Sequence, residues 1–192
     1  MDFFSTAYQG NPPWEIGRPQ EAFVALARQG AITGSVLDIG CGTGELALFL
    51  AAEGHEVWGI DATQMAIRKA QEKAAARGLT VQFRVLDALD LAKLNRQFET
   101  VTDSGLFHTL SDDDRPRFVK NLAAVLPPGG KYFMLCFSER EPGGYGPRRI
   151  TEREIRTSFR DGWTIRSIRP AVFENNFRPE GAQAWLSMLV KT

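Results

Sequence analysis

Residues 36–44 read VLDIGCGTG, and this stretch decides the fold class. Its first four residues, 36–39, are the short apolar run expected of a buried parallel strand. Glycines follow at alternate positions, and a helical segment begins at Glu45. Glycine permits a tight turn and close backbone approach to a ligand, and a helix N-terminus favours anionic groups. The stretch therefore predicts a strand, a turn and a helix that hold a nucleotide-like ligand.

Predicted strands and helices alternate along the rest of the chain, a pattern typical of an α/β sheet with helices on both faces. The strands predicted after the first comprise residues 56–60, 81–86, 100–103, 131–137, 164–172 and 184–190. The connection between the last two is too short for a helical crossover, so they should pair antiparallel. We predict a Rossmann-like, doubly wound α/β sheet of seven strands, mostly parallel, with an antiparallel last strand.

Capping residues mark several helix starts. Thr63 and Ser111 stand where helices should begin, and Thr151 with Glu154 has the spacing of a capping box. Residues 1–18 are rich in aromatic residues, proline and glycine. Because they carry few helix signals, we predict that they are irregular.

Length and composition indicate one domain. The chain has 192 residues, 43% of them hydrophobic, with 23 basic and 23 acidic residues. This balance lowers the expectation of a nucleic-acid partner, since phosphate contacts favour a basic excess. The sequence has no long apolar span and its start lacks a signal-peptide pattern, which predicts a cytoplasmic protein with no membrane partner. Its two cysteines have no metal-site spacing, so no metal is expected.

Acidic residues lie at or near the carboxyl ends of the first four predicted strands. Asp38 precedes the glycines, where a carboxylate is awkward beside a pyrophosphate but suits a ligand that carries an ammonium group. Asp61 ends the second strand about 20 residues further on, where such an acid accepts hydrogen bonds from ribose hydroxyls. Asp87 follows the third strand and is placed to read an adenine amino group; Asp103 and Ser104 end the fourth. Open α/β sheets bind ligands at these strand ends, so the residues should line one site.

Four segments together resemble the motifs of class I S-adenosylmethionine (SAM)-dependent methyltransferases. The first, DIGCGTG at 38–44, matches the first motif of that family nearly letter for letter. GID at 59–61, DA at 87–88 and LPPGG at 126–130 resemble the later motifs, in order and at normal spacing. The resemblance covers about residues 35–137. It implies a SAM cofactor, with S-adenosylhomocysteine (SAH) as product.

The resemblance also implies a role for each matched position. Asp61 would bind the ribose, Ala62 and Met65 would flank the adenine, and Asp87 and Ala88 would lie at its edge. Two glycines and Asp103 would line the methionine side. The implied cofactor-binding residues are Trp14, Asp38, Gly40, Cys41, Gly42, Gly44, Asp61, Ala62, Met65, Asp87, Ala88, Leu89, Asp103 and Ser104.

The segment PWEIGRPQ at 13–20 narrows the resemblance. It is similar to the segment before the first motif in small-molecule methyltransferases: the thiopurine, halide and thiol enzymes, the tellurite-resistance type, and a mycobacterial group that acts on hydroxyquinolones and related heterocycles. In those enzymes the segment folds over SAM as a lid, which implies that Trp14 contacts the cofactor. We therefore divide one catalytic domain, 1–192, into an N-terminal lid and helix, 1–30, and a core, 31–192.

The expected reaction is methyl transfer to oxygen, nitrogen or sulfur of a small aromatic or heterocyclic acceptor, with a halide, thiol or tellurite acceptor as the alternative. His108 follows the fourth strand, near the expected methyl group. It is either a general base that takes the acceptor's proton or a structural histidine. Tyr145 and Arg148, on the loop after the fifth strand, either bind the acceptor or remain solvated. Tyr8 and Phe107 complete the predicted acceptor-binding set.

The sequence is also compatible with other functions. A nicotinamide-dependent oxidoreductase would use a similar sheet, and a non-catalytic SAM-binding module would keep the fold without the chemistry. The intact Asp38, Asp61 and Asp87 argue against the module. A nucleic-acid or protein acceptor is disfavoured, because the chain has no Asn/Asp-Pro-Pro-Tyr motif and no net charge. Either a monomer or a homodimer is expected.

Overall fold

Seven strands share one sheet in the computed structural model, which describes residues 3–192. The strands are β1 (Val36–Ile39), β2 (Val57–Asp61), β3 (Gln82–Val85), β4 (Thr100–Ser104), β5 (Lys131–Phe137), β6 (Trp163–Phe173) and β7 (Ala182–Lys191). Their order is β3-β2-β1-β4-β5-β7-β6. Strands β1 to β5 pair in parallel, whereas β7 runs antiparallel to both of its neighbours. The predicted doubly wound sheet with an antiparallel last strand is confirmed.

Helices connect the strands. Within the described residues they are α1 (Phe3–Ala7), α2 (Glu21–Arg28), α3 (Glu45–Ala52), α4 (Gln64–Arg77), α5 (Asp114–Ala124), α6 (Glu152–Ser158) and two short 3-10 helices, Ala88–Leu94 and Phe107–Thr109. The prediction that residues 1–18 are irregular is wrong for α1, which packs its Phe4 ring on Trp14 with centroids 5.9 Å apart. The first two residues of the predicted lid segment lie outside the described residues. No helix within residues 3–192 is long and apolar enough to cross a bilayer.

The sheet separates the apolar core into two layers. Helices α2, α3 and α4 cover one face, where Phe23 packs in the same cluster as Phe133 of β5. Helices α5 and α6 cover the other face, where Phe118 packs with Tyr132 of β5. Successive strand residues point to opposite faces, so neighbouring residues of β5 supply both layers. This burial on both faces explains the continuous apolar sequence of β5.

The parallel strands bring their carboxyl ends to one edge of the sheet, which we call the carboxyl edge. Ile39, the last residue of β1, pairs with Ile60 in β2 and with Asp103 in β4. The glycine turn after β1, Asp61 at the end of β2 and Ser104 at the end of β4 therefore lie side by side. The register thus gathers the predicted ligand-binding positions at one place.

Thr151 and Glu154 form the predicted capping box of α6. The Glu154 N–H donates to Thr151 Oγ1 at 3.1 Å, and the Thr151 N–H donates to Glu154 Oε2 at 2.7 Å. Replacing Thr151 with alanine leaves the first donor unsatisfied, so we expect a loss of about 1 kcal/mol of unfolding free energy in urea titrations. Thr157→Ala, at an exposed position of the same helix, should change stability by less than about 0.5 kcal/mol. Equal effects of the two substitutions would contradict the capping role.

Candidate active site

The glycine turn after β1 has a backbone that other residues would strain. Gly44 has φ of +84°, in the left-handed region that favours glycine. A Cβ at this position would lie 2.8 Å from the Phe83 ring and 3.0 Å from the Ala70 Cβ. A Cβ at Gly42 would lie 2.8 Å from the Tyr8 hydroxyl. The turn therefore combines left-handed backbone with close packing on both sides.

Asp61 is fixed beside this turn by two main-chain donors. Its Oδ2 accepts the Gly42 N–H at 3.1 Å and its Oδ1 accepts the Thr63 N–H at 2.8 Å. Burial raises the pKa of this carboxyl above its ordinary value. An ionised carboxylate has about four lone-pair sites, so each oxygen can accept one further hydrogen bond. Ala62 is exposed and Met65 is half-buried, and their predicted contact with an adenine stays a prediction.

Asp38 is a buried acid that lines the cavity at the carboxyl edge. Burial raises its pKa to about 7, although the Thr102 hydroxyl, which donates to Asp38 Oδ1 at 2.8 Å, acts in the opposite direction. A cation placed beside Asp38 would favour its ionised form. The geometry is thus consistent with the predicted contact to an ammonium group.

The structure corrects the expectation for the Asp103 side chain. Its carboxylate accepts the Leu106 N–H at 2.7 Å, the Phe107 N–H at 3.1 Å and the Tyr132 hydroxyl at 2.7 Å, and it is completely buried. Because Asp103 pairs with Ile39 rather than with Asp38, its side chain points to the opposite face of the sheet. Any contact of Asp103 with a ligand at the carboxyl edge is limited to its main chain.

The residues after β3 lie next to Asp61. The Leu86 N–H donates to the Asp61 main-chain oxygen at 3.0 Å. Asp87 is exposed, and its Oδ1 accepts the Leu89 N–H at 2.8 Å, which starts the 3-10 helix that follows. Ala88 is buried beneath it. The placement of Asp87 and Leu89 at this edge agrees with the expected adenine end of the site, and their contact with a ligand stays a prediction.

An N-terminal segment, residues 3–20, covers the glycine turn, and we call it the lid segment. The Trp14 Nε1–H donates to the buried Tyr8 hydroxyl at 3.1 Å. Glu15 accepts the Thr43 N–H at 3.2 Å and also the Thr43 hydroxyl. The lid segment is also tied to the β6–β7 connection, where the Asn176 N–H donates to the Pro13 oxygen at 2.9 Å. Glu15, which the sequence reading did not assign to the site, is a main contact between the lid segment and the core.

A cavity of about 70 Å³ lies under the lid segment at the carboxyl edge. Among the residues that line it are Trp14, Asp38, Gly40, Cys41, Gly42, Ser104 and Phe173. Ligand sites are commonly about 300–1,000 Å³, so this cavity is smaller than a nucleoside ligand requires. Phe173 closes one side of it, although it lies at the end of β6, far along the chain from the recognised motifs. Nothing in the local sequence around Phe173 indicates this position.

His108 lies beside the cavity in an aromatic setting. Its Nδ1 accepts the Phe137 N–H at 3.0 Å, and its ring packs on Phe137 and Phe173 with centroids 5.0 and 5.7 Å away. Burial, together with the nearby Arg149 charge, lowers the pKa of His108 to about 3. The general-base role stays a prediction without support from this geometry, because such an imidazole has little tendency to take a proton.

Two other residues predicted to bind the acceptor instead contact other residues of the protein. The expectation for Phe107 is corrected: its ring is completely buried and packs against Phe118 and Phe159 in the layer under α5 and α6. Arg148 pairs with Asp112 at 2.6 Å and with Glu154. These ion pairs hold its guanidinium at the starts of α5 and α6.

The Tyr145 hydroxyl donates to Glu141, a buried carboxylate on the same loop. Glu141 also accepts a hydrogen bond from Arg178 at 2.6 Å and from the Gln183 N–H at 2.6 Å. The Tyr145 ring stacks edge-to-face on the exposed Phe177. These hydrogen bonds attach the loop after β5 to the β6–β7 hairpin. Because the Tyr145 hydroxyl is bonded to Glu141, any contact of Tyr145 with an acceptor would be through its ring.

The raised pKa of Asp38 gives a pH test of the predicted ammonium contact. An Asp38 that is partly protonated near pH 7 must lose its proton when a ligand ammonium binds. Because binding requires this loss of a proton, affinity for SAH should rise as the pH increases from 6 to 8. The rise should be up to about tenfold per pH unit below the pKa of Asp38. Calorimetry should also detect proton release, and both effects should shrink in Asp38→Asn. An affinity that is independent of pH in the wild type would contradict the contact.

Known proteins resemble this chain over nearly its whole length. A family model described as a methyltransferase domain matches residues 36–130. A 2-heptyl-1-hydroxyquinolin-4(1H)-one methyltransferase of Mycobacteroides abscessus is 37% identical to this chain. The alignment covers 95% of this chain and 87% of the relative's length.

Solved structures also resemble this chain. One, described for the conversion of a disulfide bond into a thioacetal group during echinomycin biosynthesis, is 36% identical with a TM-score of 0.89, and the match covers 98% of this chain and 91% of the other. The Burkholderia thailandensis 1,6-didemethyltoxoflavin-N1-methyltransferase shares the fold at 21% identity, with a TM-score of 0.71 over 90% of this chain and 77% of its own. The chain belongs to the SAM-dependent methyltransferase family, and its cofactor is SAM.

Proposed function

We propose that this enzyme transfers a methyl group from SAM to an oxygen, nitrogen or sulfur atom of a small aromatic or heterocyclic acceptor. The observation that carries the proposal is the aromatic wall beside the cavity. His108 packs between Phe137 and Phe173, and Phe173 lines the cavity together with Trp14 and Ser104. The flat faces of aromatic rings such as Trp14 and Phe173 suit a planar acceptor ring. The charge balance of 23 basic and 23 acidic residues supports a free small molecule rather than a nucleic acid as the partner.

The carboxyl edge has groups that fit the cofactor. Asp61 keeps free lone pairs for ribose hydroxyls, and Asp38 lines the cavity where an ammonium group would lie. When bound there, SAM would supply an electrophilic methyl group for a lone pair of the acceptor, and SAH would be the leaving group. The protein orients the acceptor for this transfer and keeps water away from it. No acid-base group is required when the acceptor is already nucleophilic.

The division of the chain is part of the proposal. Residues 1–30 form the lid and its supporting helix, and residues 31–192 form the catalytic core. A cavity of about 70 Å³ is too small for the cofactor, so Tyr8 and Trp14 have to move outward when SAM enters. Two contacts hold the lid segment on the core next to these residues: Glu15 with Thr43, and Pro13 with Asn176. We further propose that the enzyme is cytoplasmic, acts as a monomer or homodimer, and has no membrane partner.

An N-hydroxyquinolone is the first candidate acceptor, because the Mycobacteroides abscessus relative named for such a compound aligns over 95% of this chain. A sulfur acceptor is the second. It is supported by the 36% identical structure described for the conversion of a disulfide bond into a thioacetal group. These two relatives are similarly close to this chain, so identity does not choose between oxygen and sulfur.

Product analysis tests the proposal. The purified chain is incubated with SAM and, separately, with 2-heptyl-1-hydroxyquinolin-4(1H)-one, the analogue without the N-hydroxy group, an aryl thiol and a cyclic disulfide peptide. Mass spectrometry should detect a methylated product for at least one aromatic acceptor, and fragmentation identifies the methylated atom. SAH should bind in calorimetry whereas NADH should not. Binding of NADH without SAH, or methylation of none of the four compounds, would contradict the proposal.

A further inference from the structure

We propose that His108 acts in its neutral form as a hydrogen-bond donor: its Nε2–H binds a lone-pair atom of the acceptor and fixes the acceptor's orientation. The inference deepens the proposed function and rests on it. It replaces the general-base role by a positioning role. As a consequence, the acceptor has to be nucleophilic before it binds, without help from a protein base.

The tautomer of His108 follows from a main-chain contact. The Phe137 N–H donates to His108 Nδ1 at 3.0 Å, with the imidazole deep in the protein. A main-chain N–H cannot accept a hydrogen bond, so Nδ1 must present its lone pair. A neutral imidazole has one protonated nitrogen, which must then be Nε2. A histidine in this state can donate from Nε2 but cannot take a proton there.

The His108 ring packs on Phe173, which lines the cavity, and its Nε2–H has no hydrogen-bond partner within the described residues. A Cβ at Gly105 would lie 3.3 Å from His108 Nε2 and 2.9 Å from the Phe173 ring, so the missing side chain of Gly105 leaves this nitrogen uncovered. Gly105 directly follows Ser104, which lines the cavity together with Phe173. A lone pair of the acceptor is the partner that the position offers.

The surroundings of His108 disfavour its charged form. Phe137 and Phe173 flank the ring and offer no anion. Arg149, the charged group that acts on it, repels a second cation. The Asp103 carboxylate, five residues earlier, does not contact the imidazole. It accepts hydrogen bonds from the Tyr132 hydroxyl and from main-chain N–H groups. The donor state should therefore persist across neutral pH.

The donor role selects a class of acceptor. Because His108 takes up no proton, the acceptor's proton has to go to solvent before binding. N-hydroxy heterocycles, acidic phenols and thiols meet this condition near neutral pH, whereas aliphatic alcohols do not. The second polar atom of a planar heterocycle, such as a ring carbonyl, is then a suitable partner for the Nε2–H.

Two substitutions distinguish a donor from a base. Glutamine places an amide N–H near the position of Nε2 and cannot act as a base at neutral pH, whereas alanine offers neither function. For a donor, His108→Gln should keep kcat/KM within about fivefold of the wild type, and His108→Ala should lose about 10–100-fold, mainly through a higher KM. The control His55→Gln replaces the other histidine of the chain, which contacts the Gly34 oxygen away from the cavity. Equal losses in kcat for the glutamine and alanine variants would overturn the proposal.

The pH dependence gives a second readout. Two acceptors of different acidity are compared in the wild type and in His108→Gln. The midpoint of kcat/KM against pH should follow the pKa of each acceptor and should be the same in both proteins. A midpoint that stays fixed when the acceptor changes, and that disappears in His108→Gln, would show a protein base and overturn the proposal.

The tautomer itself can be read without turnover. ¹⁵N NMR of the SAH-bound wild type, with His55→Gln used to assign the signals, should show His108 protonated at Nε2 and unprotonated at Nδ1 from pH 5 to pH 8. An imidazolium, or a proton on Nδ1, would overturn the inference whatever the activity. If the NMR result is as expected but the wild type methylates no acceptor, the proposed function fails, and the donor role in acceptor binding fails with it.

Discussion

Replacing Asp61 with alanine is expected to weaken SAH binding about 10–100-fold, equivalent to about 1.5–3 kcal/mol. The Gly42 and Thr63 N–H groups hold the carboxylate at the end of β2, and each of its oxygens keeps a lone pair for a further hydrogen bond. Loss of the side chain removes the acceptors for the ribose and also frees the Gly42 N–H at the glycine turn. Titration calorimetry with SAH measures the effect.

Two variants make this result specific. Asp61→Asn keeps one oxygen acceptor and should lose less affinity than Asp61→Ala. Asp90→Ala removes a carboxylate that pairs with Lys93 and Arg117 on the surface, and it should leave SAH binding unchanged. Retention of full affinity by Asp61→Ala, with circular dichroism showing a folded chain, would exclude the ribose role.

Replacing Gly44 with alanine should destabilise the protein by about 2–5 kcal/mol. The left-handed backbone at φ +84° costs a non-glycine residue about 1–2 kcal/mol. The new Cβ would also press on the Phe83 ring at 2.8 Å and on Ala70 at 3.0 Å, and such overpacking typically costs about 1–3 kcal/mol. The free energy of unfolding from urea titration measures the sum.

Gly78→Ala is a matched control for this substitution. Gly78 also has a left-handed φ, +63°, but a Cβ there would meet nothing within 4 Å. Gly78→Ala should therefore lower the free energy of unfolding by about 1–2 kcal/mol, which is the backbone cost alone. The difference between the two variants isolates the crowding where α3 starts against β3 and α4. If Gly44→Ala is no worse than Gly78→Ala, the turn does not require close packing.

The sheet and the edge that carries the site are predictable from the sequence, because local signals determine them. Buried strands appear as apolar runs, and Thr151 and Glu154 have the spacing of a capping box. The position of Asp61 follows from its place at the end of a parallel strand. Each of these inferences depends on residues that are close together in the chain.

The side-chain orientations that could not be predicted from the sequence are determined by contacts between distant parts of the chain. Whether Asp103 faces the cavity or the opposite layer is set by its register with Ile39, and the burial of Phe107 is set by α5 and α6. His108 receives its hydrogen bond from Phe137, 29 residues later in the chain. The contact of the lid segment with Asn176 joins parts of the chain that are even further apart. A single sequence contains no signal for these long-range contacts.

The central claim is that the carboxyl edge binds SAM and that the enzyme transfers its methyl group to a small acceptor. The most direct measurement uses SAM with an isotopically labelled methyl group and follows SAH and methylated acceptor together by mass spectrometry. We predict that label enters the acceptor in equal amount to the SAH formed, and that Asp61→Ala reduces both products alike. Formation of SAH without label in any acceptor, or labelling that is unaffected by Asp61→Ala, would contradict the claim.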